Sequence, residues 1–342
     1  MVDGGTHSLP ELIVSRGGGL HYTTEYKLKL DLEQAEYLVK EVLSEDREPE
    51  LYQLFKMQVM PTLQTVLSHI PPLDELSRTE GLYPFGPRDY EVGIQHVYNK
   101  ALYVPDPDYD VSVPLLNLNL QVSRIQQEWK SGDHPGIVVI DNILSPQTLE
   151  TIRRTLWDST VWYQTKMPKK LGGYAGAYID DGLHQQILLD VAFQLHRAFP
   201  EIMQQHPLKY MWAYKYDSDF SGIQTHADQA AVNINLWITP DEANLDPDSG
   251  GLVIFTAKPP ADWDFASYNT DTERVDRDIL RPTNYANVTV PHRANRAVIF
   301  DSALFHHSDR FKFKKGYKNR RINLTFLYGN MQLADPSCSS EA

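Results

Sequence analysis

The spacing of apolar positions along this chain changes near residue 209. Before that point they recur every three or four residues, the period of one helix face. Leu32, Ala35, Leu38, Val39, Val42 and Leu43 make one stripe. Leu51, Leu54, Phe55, Val59, Leu63, Val66, Leu67 and Ile70 make a second. Pro61 lies inside the second run and is expected to kink or divide it, because proline lacks the N–H that an internal helical turn uses. The two stripes predict an α-hairpin, either packed on the main domain or serving as a docking element. Residues 82–118, rich in Tyr, Pro and Asp with little period, read as a long ordered connection able to line a pocket. Residues 136–141 form a β-branched apolar run, the pattern of a buried strand. Ser145 followed by Pro146 is a helix-start signal, and Leu149, Ile152, Leu156 and Trp157 supply that helix's apolar face. Residues 171–178 contain Gly172, Gly173 and Gly176 and read as a turn or flexible lid. Leu183, Ile187, Leu188, Val191, Leu195 and Phe199 predict a further helix, stopped by Pro200.

After residue 209 the pattern is short β-runs between turn residues, at about 210–216, 223–228, 231–238, 251–256, 287–290, 296–301 and 321–328. Many short strands of this kind predict a barrel or jelly roll. The expected class is mainly β with flanking helices (α+β). The expected organisation is a flexible N-terminus over 1–23, a helical region and long connection over 24–135, a β domain over 136–330 and a tail over 331–342.

Composition narrows the partners. The 342 residues carry a net charge of −13, and a nucleic-acid binder needs a basic face, so nucleic acid is not an expected partner. One cysteine, Cys338, leaves no room for a disulfide framework or a multi-thiolate metal site within the chain. No run approaches the length of a membrane span and the N-terminus shows no basic-then-apolar leader, so a soluble intracellular location is expected, without membrane association. The sequence leaves the oligomeric state open.

The chemistry concentrates in residues 222–228, Gly-Ile-Gln-Thr-His-Ala-Asp. On an extended strand His226 and Asp228 point to the same side, so one imidazole and one carboxylate can converge on one ion. A third ligand is offered by His306 or His307. Two histidines and one carboxylate on one face of an ion leave positions open for a co-substrate and dioxygen, the arrangement suited to non-haem Fe(II). Further on, Arg321, Asn323 and Thr325 share a strand face. Arginine's rigid fork is suited to bidentate binding of a carboxylate.

These runs resemble the Fe(II)/2-oxoglutarate-dependent dioxygenases, in particular a prolyl-hydroxylase-like subgroup. The likeness rests on His226-X-Asp228, on Asn233-Ile-Asn-Leu-Trp-Ile-Thr-Pro240, on Asn295-Arg-Ala-Val-Ile-Phe-Asp301 and on Asn319-Arg-Arg-Ile-Asn-Leu-Thr-Phe326, and it covers roughly residues 136–330. It implies a double-stranded β-helix (jelly-roll, cupin-like) core, with Fe(II), 2-oxoglutarate as co-substrate and O2. It implies His226, Asp228 and His306 as iron ligands, His306 being the histidine directly after a Phe. It implies Arg321, in the register Arg-Ile-Asn-Leu-Thr, as the anchor for the distal carboxylate of 2-oxoglutarate. Because Asp228 is a carboxylate, hydroxylation or another oxidation is favoured over halogenation.

Weaker expectations surround this set. Tyr214 and Tyr216 can donate a hydroxyl to 2-oxoglutarate or pack in the core, and Asn235 and Asn323 can serve a co-substrate or a structural network. Lys312, Lys314 and Lys315, with Lys318, concentrate in one loop of an otherwise acidic chain and are expected either to be solvated or to draw an acidic substrate to the site. The expected reaction is hydroxylation, desaturation or oxidative cyclisation at an unactivated C–H bond, with release of succinate and CO2. The expected substrate is a small acidic amino-acid-derived metabolite, as in specialised metabolite biosynthesis. The alternatives are a peptide or protein side chain, as in prolyl-type hydroxylation, and a non-catalytic metal-binding cupin-like scaffold.

Overall fold

The computed structural model of the protein describes residues 21–110 and 112–331. The N-terminus expected to be flexible and the C-terminal tail with Cys338 fall almost wholly outside the described residues. Two short strands, β1 (Tyr22–Thr23) and β2 (Tyr83–Pro84), pair with each other ahead of the main body. The remaining strands are β3 (Ile137–Ile140), β4 (Gln164–Thr165), β5 (Tyr174–Tyr178), β6 (Leu208–Tyr216), β7 (Val232–Trp237), β8 (Leu252–Phe255), β9 (Asn287–Val290), β10 (Ala297–Asp301), β11 (His306–Ser308) and β12 (Arg321–Tyr328). One antiparallel sheet runs in the order β3-β10-β7-β12-β6-β5-β4, and a second in the order β11-β8-β9.

Period-two alternation sorts the large sheet into two chemically different faces. Met211 and Ala213 on β6, Ile234 and Leu236 on β7, Ala297 and Ile299 on β10, and Ile322, Leu324 and Phe326 on β12 share one core. Two helices cover that face, Pro146–Asp158 through Ile152 and Leu156, and Gln186–Ala198 through Ile187, Leu188, Val191 and Leu195. Burying each leucine-sized side chain contributes about 1.5–3 kcal/mol, so this layer can carry the cost of a polar layer on the other face. The opposite face meets the small sheet: Ile137, Trp237, Val298 and Phe300 pack against Leu252, Ile254, Val290 and Leu304. Lys215 is a buried amine among the apolar residues of the helix side, and burial pushes its pKa well below the ordinary lysine value. Its Nζ bonds the Tyr317 hydroxyl at 2.7 Å and lies 4.1 Å and 4.3 Å from the ring centres of Trp162 and Tyr317.

The two N-terminal stripes do form helices. Glu25–Tyr37 continues through wider, π-type turns at Leu38–Val42. Its partner runs through Pro49–Leu54, Phe55–Val59 and Met60–Leu67. Pro61 stands in the first turn of the last segment, directly after the π-type turn at Phe55–Val59, where its missing N–H is least costly. The hairpin is fastened to the sheet domain. Tyr26 and Leu30 belong to the main core, the Gln34 amide donates to the carbonyls of Trp157 and Ser159 at 2.9 Å each, and Arg320 grips Glu33 at 2.8 Å and 3.1 Å.

Three expectations are corrected. Residues 171–178 are not a lid: Tyr174–Tyr178 is β5, an inner strand of the large sheet. The three glycines suggested flexibility, but Gly176 is small because the Tyr214 ring crosses it, 3.0 Å from where a Cβ would stand. The strand expected over 223–228 reduces to a single bridge between His226 and His306. Between β8 and β9, where no helix was expected, lie the short segments Phe265–Asn269, Thr272–Val275 and Asp276–Leu280.

Candidate metal centre and its cavity

His226 and His306 are backbone partners. The His226 N–H donates to the His306 carbonyl at 3.0 Å, and the His306 N–H returns the bond at 2.8 Å. Two residues on, the Asp228 N–H donates to the Ser302 carbonyl at 3.1 Å. The main chain thus fixes where all three side chains start. The imidazoles are oriented in the same way: Nδ1 of His226 donates to the Gln224 carbonyl at 2.8 Å, and Nδ1 of His306 to the Leu304 carbonyl at 2.9 Å. A carbonyl can only accept, so each Nδ1 carries the proton and each Nε2 keeps its lone pair for a ligand.

His306 Nε2 lies 3.5 Å from one Asp228 carboxylate oxygen, and His226 Nε2 lies 3.8 Å from the other. The three ligand atoms fall within 4.8 Å of one another, and this is the only such group of three or more metal-ligating side chains among the described residues. Burial lowers the His226 pKa to about 4, so the ring is neutral at physiological pH. Burial alone would raise the Asp228 carboxyl, but His306, His226 and the Asn233 amide outweigh it and hold it below the usual carboxylate range. Asn233 donates to that carboxylate at 2.8 Å. His307 turns away, with Nδ1 on the Ser308 carbonyl at 2.8 Å and its ring against Phe255.

The triad opens into a cavity of about 1060 Å³. Its floor is the polar face of the large sheet, set out in cross-strand rows. Tyr174, Tyr216 and Arg321 face one another in one row. Gly176, Tyr214, Asn323 and Trp237 form the next. Tyr178, Trp212, Thr325 and Asn235 form the third. Arg321 is 1% exposed. Its guanidinium donates to the carbonyls of Gly250 at 2.6 Å and Gly251 at 3.0 Å, and its centre stands 4.5 Å from the Tyr216 ring centre. Among the described residues no carboxylate comes within ion-pair distance of it, and burial lowers its pKa from the usual value. Arg320 faces the other way, bonded to Glu33 and to Asp217.

Asn235 and Asn323 both line the cavity and both donate to the Thr325 hydroxyl at 3.1 Å. One atom of the Asn235 amide, its oxygen as placed, is buried without a partner. The Tyr214 hydroxyl is shared with that of Tyr178 at 2.9 Å. Lys312, Lys314 and Lys315 do not line this cavity. Lys315 bonds Asp219 at 2.8 Å, and Lys318 bonds Glu41 at 2.5 Å. Lys314 and Lys315 line a separate hollow of about 250 Å³ against the N-terminal helices. The acidic residues there draw the loop away from the metal side, which removes it from the position expected of a substrate attractor.

Three contributors had no local signal in the sequence. Asn269 bonds both backbone groups of Ala227, Phe265 to Leu280 supply one cavity wall, and Lys166 lines the cavity from beyond β4. Asn233 and Asn235 are two apart on β7, and Asn233 donates to the Asp228 carboxylate.

No family model matches the chain, and no curated protein does. Among solved structures it is similar to the non-heme α-ketoglutarate-dependent epimerase SnoN from nogalamycin biosynthesis, at 11% identity and a TM-score of 0.42, covering 61% of this chain and 82% of that one. It is similar to a prolyl-4-hydroxylase from Pseudomonas putida, at 14% identity and a TM-score of 0.39, covering 62% and 100%. It is also similar to HygX from Streptomyces hygroscopicus, solved with nickel, 2-oxoglutarate and hygromycin B, at 15% identity and a TM-score of 0.39, covering 58% and 84%.

Proposed function

We propose that this chain is an Fe(II)/2-oxoglutarate-dependent oxygenase with a double-stranded β-helix core, acting on an unactivated C–H bond of a small acidic, amino-acid-derived molecule. The observation that carries the reading is Arg321. A buried guanidinium facing neutral carbonyls, with no carboxylate at ion-pair distance among the described residues and only the more distant Asp309 acting on it, is an under-compensated charge in a medium that penalises it. An anionic co-substrate supplies the missing partner. The same cavity holds an open His-Asp-His set with both Nε2 atoms free, and an Asn235 amide atom left without a partner. These residues fit iron and a bidentate-anchored dicarboxylate.

When bound, iron and 2-oxoglutarate supply the oxidation: dioxygen delivers one atom to succinate and, in hydroxylation, the other to the product, with loss of CO2. The protein's part is placement. His226, Asp228 and His306 hold the metal from one side, and the Asn233 amide keeps Asp228 oriented. Arg321 fixes the far carboxylate, with Asn323 and Thr325 beside it. Tyr174 and Tyr216, beside Arg321, and Leu252 and Val275 supply apolar wall to the same cavity.

A cavity of about 1060 Å³, partly lined by residues of the 265–280 segment, is of the size that takes a small molecule, which supports a small substrate over a protein side chain. Prolyl-type hydroxylation of a flexible peptide is the second reading.

The test is anaerobic. Fe(II) and 2-oxoglutarate added to metal-free protein are expected to give the weak visible charge-transfer band of the chelate. The band is expected to vanish in His226→Ala and to require far more 2-oxoglutarate in Arg321→Ala. No band in the wild type removes the oxygenase reading and leaves a metal-holding scaffold. Succinate release over a panel of acids and peptides then separates the two substrate classes.

A further inference from the structure

The cross-strand row that begins at Arg321 does not end at Tyr174. Lys166 directly follows β4, and its N–H donates to the Tyr174 carbonyl at 3.0 Å, which makes it the next member. The row therefore reads Arg321, Tyr216, Tyr174, Lys166, with a cation at each end and two tyrosine rings, 5.2 Å apart, between them. Both cations line the same cavity.

Strands in a sheet are spaced by about 4.8 Å, so three steps separate the backbones of the two cations by about 14 Å. The two charges also stand over different rings, the Arg321 guanidinium by Tyr216 and the Lys166 ammonium by Tyr178, four residues beyond the Tyr174 that faces Tyr216, so they address separate parts of the cavity. The ammonium of Lys166 lies 5.3 Å from the centre of the Tyr178 ring, and among the described residues it forms no ion pair. Its backbone, in contrast, is held firmly: the Tyr26 hydroxyl, from the N-terminal helix, accepts from the Lys166 N–H at 3.2 Å and also bonds the Tyr174 carbonyl.

We propose that Lys166 binds a carboxylate of the substrate, so that the cavity takes two organic anions at once, the co-substrate on Arg321 and the substrate on Lys166. This rests on the oxygenase reading for the identity of the first anion. Leu171 and Ile223, which line the same cavity, receive an apolar body attached to that carboxylate. Tyr26 is a positioning residue: it ties the Lys166 strand to the N-terminal helix.

The experiment uses full-length protein loaded with Zn(II) and 2-oxoglutarate, which cannot turn over. The probes are 3-phenylpropionate and 5-methylhexanoate, each beside its primary amide, with binding read by saturation-transfer NMR. Wild type is expected to prefer each acid over its amide by on the order of tenfold, the contribution of a charge-assisted hydrogen bond. Lys166→Gln should erase the preference and Lys166→Arg should keep it. Equal binding of acid and amide by wild type, an unchanged preference in Lys166→Gln, or no acid binding at all overturns the proposal. The Fe(II) chelate band, measured on the same proteins, separates this from failure of the oxygenase reading: loss of acid preference with the band intact is the expected signature, and absence of the band in wild type bears only on that reading.

Discussion

Asn269 holds both backbone groups of Ala227. Its side-chain oxygen accepts from the Ala227 N–H and its amide donates to the Ala227 carbonyl, each at 2.9 Å. Ala227 stands between His226 and Asp228, two of the three candidate metal ligands, so a side chain from the segment between β8 and β9 acts as a splint on the candidate ligand segment. Asn269→Ala is expected to lower metal affinity by on the order of ten- to a hundredfold, the usual effect of removing an outer partner of a ligand set. Mn(II) titration of the metal-free variant checks this, and an affinity equal to wild type would show that His226 and His306 hold the strand unaided.

Arg321→Lys keeps the charge and loses the fork. The apparent KM for 2-oxoglutarate is expected to rise by on the order of ten- to a hundredfold, with metal affinity unchanged, because a point charge cannot make two parallel bonds to one carboxylate. Titration of the chelate band gives the number. A change of less than about twofold, small beside the contribution of one charged hydrogen bond, would mean that the carboxylate is bound elsewhere.

Gly172 has φ +84°, and a Cβ on it would lie 1.7 Å from the Gly222 carbonyl oxygen. The Gly222 N–H also bonds the Gly172 carbonyl at 3.1 Å, so the turn before β5 and the strand leading to His226 touch backbone to backbone. Gly172→Ala therefore meets two penalties, left-handed backbone and a clash with main chain that cannot swing away. A destabilisation above about 2 kcal/mol is expected, read as a fall in denaturation midpoint. An unchanged midpoint would mean that the two loops separate at little cost.

His292 links stability to acidity. Burial, then Arg321 and Arg296, lower its pKa from 6.5 to about 3, and neither ring nitrogen has a hydrogen-bond partner. The unfolded chain binds this proton at higher pH than the folded one. Stability therefore rises with pH between about 3 and 6.5 and is progressively lost on acidification, by up to about 5 kcal/mol from this group. Metal-free His292→Leu is expected to show a shallower acid limb in urea titrations at pH 4, 5 and 6.5. Parallel limbs for the two proteins would contradict this.

Much of the candidate site was legible because it obeys strand periodicity. His226 and Asp228 sit two apart, as do Asn233 and Asn235, and Arg321, Asn323 and Thr325 follow at the same interval. One amphipathic strand face needs no knowledge of its partner. The register Arg-Ile-Asn-Leu-Thr puts Arg321 on that face, and the structure points Arg320 and Arg321 to opposite sides. What was not legible depends on distant pairing. Asn269 matters because the chain returns to Ala227, and Lys166 because β4 lies two strands from β6. Glycines misled over β5, where they make room for a tyrosine ring; for the lysine loop two readings stood open, and the carboxylates that pair with Lys315 and Lys318, those of Asp219 and Glu41, come from far away in the chain.

The mutual backbone bonds of His226 and His306 close a loop of 80 residues with no covalent link. An ion shared by the two imidazoles would staple the same two points in the folded chain, and a ligand that binds only the folded form stabilises it in proportion to its occupancy. Metal occupancy should therefore set how slowly the protein comes apart. A protease would then cut loaded and stripped molecules at different rates, and that rate would report metal content in a mixture without any spectroscopic signal.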